Sequence, residues 1–282
     1  MDVSIILVNY NTRDLTKNCL LSIFEKVKNL GFEVFVVDNN SHDGSCEMIK
    51  QEFPQVKLIK NKENKGFASA NNIAIRQSNA KYVFLLNTDT LLVNNAPKIF
   101  FDFMEKPENA DVGVCGGKLF DKNMNYIHSY GQLPSLKKLS LSPYISNTFI
   151  ARVVKKFLFI KDKKEPFENK EVGYITGADM FIRNDVLKET GLFDENFFLY
   201  FEETELTHRI NKKNYKSVIL KDANIIHLFG KSQKNSLKII NRMAKSEILY
   251  FEKVSGEKTK NLVKPLIFLK SIISIFLLLL SD

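Results

Sequence analysis

The chain has 282 residues, 44% hydrophobic and 26% charged, an ordinary globular composition with enough length for a substantial core. A formal net charge of +9 points to an anionic partner, yet no zinc spacing, RNP pattern or basic helix-turn-helix pattern is present, which argues against nucleic acid. Three cysteines (Cys19, Cys46 and Cys115) lie far apart and are odd in number, so reduced thiols are expected rather than a disulfide framework.

The amino-terminal apolar run is short and carries Asp2 where a signal peptide would be basic. The catalytic part is therefore expected to stay in the cytoplasm. Residues 3–10 read as a first strand, and apolar positions from Leu15 to Val27 recur with helical spacing, with Thr12 as the candidate N-cap. Residues 34–37 form a second buried strand, followed by a helix through Phe53, and residues 56–60 a third. A loop over 61–67 and a helix over 68–77 lead to a fourth strand at Tyr82–Leu86, five apolar or aromatic residues in succession. This alternation predicts an α/β fold with a doubly wound, mostly parallel sheet and helices on both faces.

After Thr90 the pattern loosens. A helix is expected over 94–105 and a strand over 111–119. The stretch 122–171 has no strong period. Its basic and apolar run 152–164 reads as a surface excursion, or as an element on the acceptor side or at a membrane surface. Strand character returns at 172–183, then a short helix ends at Gly191, and a helix over 201–213 opens with Glu202, Glu203 and Glu205. Two short strands at 216–220 and 223–226 precede His227.

The tail differs in kind. Residues 237–253 make a basic amphipathic helix, and 262–280 are strongly apolar but interrupted by Lys264, Pro265 and Lys270. A spanning helix needs ~20 apolar residues. The tail is therefore expected to be a monotopic anchor or half-inserted hairpin, with both lysines snorkelling to the headgroups; a buried carboxy-terminal core helix is the alternative.

Polar clusters close three of the buried strands: Asn9–Asn11, then Asp38–Ser41, then Asn87-Thr88-Asp89-Thr90. In a parallel sheet all three would lie on one edge, where open α/β sheets bind ligands. Such a site offers the Asp38 acceptor to a base or ribose, the amides of Asn64 and Asn72, and the Asp89 carboxylate to a divalent ion. Hard cations take one or two protein carboxylates and let substrate phosphates complete the shell. No P-loop or G-x-G-x-x-G pattern is present. Glu202 and Glu203, behind Phe197, Phe198, Tyr200 and Phe201, suit general base work, because aromatic surroundings and a neighbouring carboxylate both raise a carboxyl pKa.

The ordered set VSIILVNYN, VVDNNSHDGS, NKGFASANN, LLNTDT, GADMFIR, GLFDENFFLYFEETEL and IIHLFGKS closely resembles the family 2 glycosyltransferases of GT-A fold, most of all a bacterial rhamnosyltransferase-like subgroup. The resemblance covers roughly residues 1–232. It implies a GT-A domain over 1–232, with a nucleotide-sugar-binding half (1–120) and an acceptor and base half (121–232), followed by a membrane-associating helical tail (233–282). Asp38 would contact the nucleotide base, with Val8, Asn9, Tyr10, Asn11 and Asn40 lining the same pocket. Gly66 and Asn72 would flank the nucleotide, beside Asn87 and Thr88. Asn87-Thr88-Asp89 is similar to the DxD motif, with Asp89 and His227 on a Mg²⁺ or Mn²⁺ ion.

Glu203 occupies the position of the catalytic base, and Gly177, Ala178, Asp179 and Glu202 the acceptor side. Two positions depart from the pattern: Asn87 replaces the first carboxylate of the motif, and Glu203 stands where Asp is usual. The implied activity is inverting sugar transfer from a nucleoside-diphosphate sugar to a hydroxyl of a saccharide or lipid-linked saccharide, in surface polysaccharide assembly at the cytoplasmic membrane face. Two other classes compete: a non-catalytic nucleotide-sugar-binding relative, and a sugar-phosphate nucleotidyltransferase. The latter wants a glycine-rich loop after the first strand, and NYNTRDL has no glycine.

Overall fold

The computed structural model describes residues 1–136, 166, 168–228 and 237–279. Strands β1 (Val3–Asn9), β2 (Phe32–Asp38), β3 (Lys57–Lys60) and β4 (Tyr82–Leu86) alternate with helices α1 (Arg13–Lys26), α2 (Ser45–Glu52) and α3 (Gly66–Ile75). The four strands are parallel and lie in the order β3-β2-β1-β4. Then come β5 (Thr90–Leu92), α4 (Ala96–Met104), β6 (Val112–Phe120), β7 (Tyr126–Ile127), β8 (Tyr130–Gly131), β9 (Lys170–Val172), β10 (Tyr174–Ile175) and β11 (Asp179–Arg183). Helices α5 (Asn184–Thr190) and α6 (Glu202–Lys212), strand β12 (Lys216–His227) and helix α7 (Leu237–Leu279) complete the described chain.

The main sheet runs β3-β2-β1-β4-β11-β6-β12-β5, with β11 antiparallel to both of its neighbours. Parallel pairing resumes between β6 and β12, so the sheet is mostly parallel, as the strand–helix alternation predicts. Its two faces follow from the pleat, which sends alternate side chains to opposite sides. Val3, Ile5 and Leu7 pack with α1, α2 and α4, whereas Ile6 packs with α3, α5 and α6. Each fully buried Val, Leu or Ile contributes about 1.5–3 kcal/mol, so the double-sided core dominates the stability of the sheet.

Some predicted elements are divided differently. The strand character expected at 172–183 is divided among the end of β9, β10 and β11, which pair with β12, β8 and β4 respectively. The two strands expected at 216–226 are one, with a register shift between Ile219 and Asn224. Strands β5, β7 and β8 are two or three residues long and owe their existence to partners, not to local propensity.

The tail is a helical hairpin. Helix α7 breaks at Gly256 (φ 82°, ψ 173°), and Lys270 Nζ lies 3.2 and 3.1 Å from the two carboxylate oxygens of Glu247. A straight helix would separate these residues by about 34 Å at 1.5 Å per residue, so the two arms fold back on each other. Ala244, Tyr250 and Phe251 of the first arm pack against Val263 and Ile267 of the second. Lys270 is buried in this seam, which overturns its expected snorkelling: its ammonium meets a carboxylate within the fold, not headgroups. Lys264 remains exposed. Among the described residues no helix is long and apolar enough to cross a membrane. The run 152–164 and residues 229–236 lie outside the described residues.

Candidate active site

The ends of β1, β2 and β4 meet on one edge of the sheet, with Asn9 in register with Asp38. Asn9 is fully buried and organises this edge. Its Nδ2 donates to Asp38 Oδ2 at 2.6 Å and to Ser41 Oγ at 3.0 Å, and its Oδ1 accepts from the Thr12 and Thr16 hydroxyls at 2.7 and 2.8 Å. The Ser41 amide donates to Asp38 Oδ1 at 2.9 Å. Thr12 Oγ1 also lies 3.1 Å from Thr88 Oγ1, so a continuous polar chain joins the Asp38 pocket to the Asn87–Asp89 turn. Thr12 therefore does not cap α1 with its side chain, as its position suggested; the hydroxyl serves the site instead.

Asn9 thus holds Asp38 in place, and what remains for a ligand is the exposed rim. Val8 is half-buried there, and Tyr10 is 49% exposed. Asn11 and Asn40 both adopt left-handed backbone conformations (φ 53° and 67°), a region that asparagine tolerates well. Asn11 Oδ1 accepts from the His42 amide at 2.8 Å, tying the two loops together.

Gly66 opens α3 with φ +82°, and a Cβ there would overlap the Phe198 carbonyl oxygen. Its amide donates to Asn64 Oδ1 at 3.0 Å, and its carbonyl accepts from Asn39 Nδ2 at 3.1 Å. Asn72 departs from expectation. Its Nδ2 donates to the Phe193 carbonyl and to Glu195 Oε1, both at 2.9 Å, and its Oδ1 accepts from the Phe193 amide at 3.1 Å. The buried amide is fully engaged in tethering α3 to the loop at 193–195, so it is a strut and not a nucleotide contact.

On the other side, β12 pairs antiparallel with β5 and sets His227 opposite Thr90. His227 Nε2 then lies 3.2 Å from Asp89 Oδ1, and both side chains are buried. The pair is separated by more than a hundred residues in sequence and is made by strand pairing alone. Among the described residues no cluster of three or more His, Cys, Asp or Glu gathers to hold a metal. An oxygen and an imidazole nitrogen nonetheless fit Mn²⁺, which accepts both, with diphosphate oxygens completing the shell.

Glu202 and Glu203 begin α6 after two successive non-glycine residues in left-handed conformation, Tyr200 (φ 72°) and Phe201 (φ 67°). Such residues cost about 1–3 kcal/mol each and persist only where the surroundings fix them. Burial, and then the charge of Glu203, push the Glu202 carboxyl well above its ordinary range. Burial also raises Glu203, against backbone hydrogen bonds and the Thr204 hydroxyl, which donates at 3.2 Å. Both carboxyls are thus held above the ordinary range, with Glu202 the more deeply buried of the two. Glu205 plays no part in this, because Arg209 engages both of its oxygens at 2.8–3.0 Å.

The acceptor-side residues divide. A Cβ on Gly177 would stand 3.7 Å from Glu203 Cβ, so this glycine borders Glu203 directly. Ala178 accepts from the Asn87 amide at 3.0 Å, which joins the Asn87–Asp89 turn to the Gly177–Glu203 corner. Asp179 is a correction. It is wholly buried in β11, its Oδ2 accepts from the Gly117 amide at 2.5 Å, and its Oδ1 has no hydrogen-bond partner. Burial pushes its pKa well above the carboxylate range, and no acceptor can reach it.

Sequence reasoning missed Tyr174, whose pKa is raised first by burial and second by the charge of nearby Glu203. Its ring crosses above Gly131, where a Cβ would overlap it. Nothing local to GYITGAD signals that contact. Thr12, expected only as an N-cap, and Asn39 and Ser41, expected only as members of the Asp38–Ser41 cluster, prove to join the hydrogen-bond network of the site.

The model of the family described as Glycosyl transferase family 2 matches residues 4–191. The chain is 25% identical over 205 residues to N-acetylglucosaminyl-diphospho-decaprenol L-rhamnosyltransferase of Mycobacterium tuberculosis, across 69% of this chain and 66% of that protein. It thus spans just under two thirds of that relative's length. Its fold is similar to that of mannosyltransferase PcManGT from Pyrobaculum calidifontis in complex with GDP-Man and Mn²⁺, with TM-score 0.61 and 16% identity, over 99% of this chain and 75% of the other. It is also similar to that of GalNAc-T7 with UDP, GalNAc and Mn²⁺, with TM-score 0.64 and 15% identity, over 89% of this chain and 48% of the other. With two thirds of its length matched by the family model, the chain belongs to glycosyl transferase family 2.

Proposed function

We propose that this protein is an inverting glycosyltransferase that moves a sugar from a nucleoside-diphosphate donor to an acceptor hydroxyl. The observation that carries the reading is the junction between the Asn87 amide and the Ala178 carbonyl. It sets the Asp89–His227 pair and the Gly177–Glu203 corner at one end of β4 and β11. A nucleoside lies against the β1 and β2 ends, with Asp38 accepting from its base and Val8, Tyr10, Asn11 and Asn40 forming the rim. The diphosphate lies over Asn87, Thr88 and Asp89, beneath the Gly66 turn.

Asp89 and His227 would hold a divalent ion, Mn²⁺ or Mg²⁺. When bound, it would neutralise the charge that develops on the departing diphosphate. Glu203 takes the proton from the acceptor oxygen as that oxygen attacks the anomeric carbon from the side opposite the leaving group. Gly177 leaves room beside Glu203 for the acceptor ring.

Likeness to the mycobacterial enzyme supports a rhamnosyl donor and a lipid-linked saccharide acceptor in surface polysaccharide assembly. The tail supports a site at the cytoplasmic membrane face. Its second arm exposes Leu262, Leu266, Leu269, Ile272, Phe276 and Leu279 along one stripe, with Lys258 and Lys264 exposed beside it.

Thermal-shift titration with nucleoside diphosphates and nucleotide sugars, with and without Mn²⁺, identifies the donor, since binding to the native state raises Tm. Transfer by Glu203→Gln should then fall by about 10²–10⁴-fold with donor binding retained. Undiminished transfer would remove Glu203 as the base.

A further inference from the structure

The segment that delivers Glu202 and Glu203 to the site is the loop 194–201, and two different parts of the chain grip it. On the donor side the Phe198 carbonyl accepts from the Phe67 amide at 2.8 Å and rests on Gly66. On the opposite side the first arm of the C-terminal hairpin holds it at four points. Lys253 Nζ lies 2.8 Å from Asp194 Oδ2 at the start of the loop. The Arg242 guanidinium sits 4.6 Å over the Phe198 ring. The Ser246 hydroxyl donates to the Leu199 carbonyl at 2.9 Å, and the Tyr250 ring packs 5.9 Å from that of Phe201.

These contacts fall on every stretch of the loop and surround the two left-handed residues, Tyr200 and Phe201. A non-glycine pair in that conformation relaxes unless its neighbours fix it. Within the loop, Asp194 makes a local turn, its Oδ1 accepting from the Asn196 amide at 3.0 Å and its carbonyl from the Phe197 amide at 3.1 Å, and the Phe201 carbonyl accepts from the Glu205 amide at 2.9 Å as α6 begins. Phe197 is buried among Ala244, Tyr250 and Phe251, so the hairpin also supplies the hydrophobic floor. The arm is itself locked, because the buried Glu247–Lys270 pair ties it to the second arm.

We propose that the C-terminal hairpin is a positioning element of the active site: Arg242, Ser246, Tyr250 and Lys253 clamp the strained loop and thereby fix where Glu203 stands. The tail then supports the active site with its inner face, besides the membrane role proposed for its outer one. None of the four touches the reacting atoms; they act through the loop. The consequence for catalysis rests on the role given to Glu203 above, whereas the clamp itself does not. Because the pocket at Asp38 is built by β1, β2 and their loops, and the Phe67–Phe198 hydrogen bond that holds the loop to Gly66 is not made by the clamp, releasing the clamp should affect turnover more than donor affinity.

The test uses the full chain carrying Arg242→Ala, Ser246→Ala and Lys253→Ala together, which leaves the Tyr250 packing and the Glu247–Lys270 pair intact. Hydrogen exchange should accelerate by roughly ten-fold or more at the amides of 197–204 and stay unchanged in β1, β2 and β4. With the donor identified, kcat should fall by roughly ten-fold or more while the donor KM stays within about two-fold. Lys253→Arg, which keeps a cation for Asp194, should restore part of the loss when it replaces Lys253→Ala in the triple variant. Unchanged exchange across 197–204 would overturn the clamp, as would a loss carried wholly by KM. Should the triple variant fail to fold, Lys253→Ala alone is measured by the same exchange criterion. Exchange needs no substrate, so a wild-type protein that turns over no nucleotide sugar sinks the proposed activity and leaves the clamp to be judged separately.

Discussion

Two adjacent glutamates in the same first turn both have their pKa raised by burial, but in different surroundings. Glu202 is 3% exposed with one oxygen lacking a hydrogen-bond partner, whereas Glu203 is half-buried and accepts from Thr204. A base must be ionised to work, so activity should be lost as pH falls through the Glu203 pKa. That pKa is raised from its ordinary 4.5, so the acid limb of kcat against pH should have its midpoint above 4.5, with a one-proton slope. A limb at or below that value would place the proton transfer elsewhere.

Asp179 gives the complementary case for stability. Its folded-state pKa is raised, so the neutral form is favoured in the fold. The stabilisation is fully present below the unfolded value and is lost as pH rises through the folded one. Asp179→Asn stays neutral throughout, so its Tm relative to wild type should climb between pH 5 and pH 8, by about 2–4 °C for each kcal/mol of linkage. A constant Tm difference across that range would show that Asp179 is not held protonated.

At the scale of elements, the site depends on close approaches that only glycine allows. Gly66 combines φ +82° with a carbonyl oxygen where a Cβ would lie, so Gly66→Ala faces both a strained backbone and a clash with Phe198. Loss of about 1–3 kcal/mol is expected, read as a lower midpoint in urea unfolding, together with weaker nucleotide binding. Gly66 was legible as a motif residue, but the reason for it was not, because its neighbour comes from 132 positions away along the chain. Asn72 teaches the reverse. It stands in the same motif, yet its side chain faces the loop at 193–195 and supports the site from behind. A motif says which positions belong together and not which way each side chain turns.

At the scale of the whole molecule, the hairpin has two faces with different tasks. The inner face packs on the catalytic loop, while the second arm leaves Phe268 and Leu279 each 67% exposed, along with the stripe from Leu262. Exposed apolar side chains gathered on one helix mark an interaction surface. With the proposed membrane role, full-length protein should co-sediment with vesicles containing anionic lipid and be released by high salt in part. Leu266→Ser, Phe268→Ser and Ile272→Ser together should reduce the bound fraction by roughly ten-fold or more without lowering Tm, since these side chains are exposed. Equal sedimentation of the variant would assign the stripe to another partner.

The order of strands and helices up to Leu86 was legible because buried parallel strands are continuous apolar runs and their helices carry a 3.6-residue stripe. The three polar strand ends followed from the same reading, and parallel pairing placed them on one edge. Sequence by itself therefore determined the parallel half of the sheet, the edge where its polar strand ends gather and the acid-rich helix start. Tertiary structure alone decided the insertion of antiparallel β11 beside β4, the meeting of His227 with Asp89, and the withdrawal of Asp179 into the core. It also decided that Lys270 pairs with Glu247 and that the hairpin grips the loop bearing Glu203. Each of these is a contact between segments distant along the chain. Local periodicity fixes only which face of an element is apolar; the partner that covers that face, and the polar groups caught between them, are set by how the elements pack.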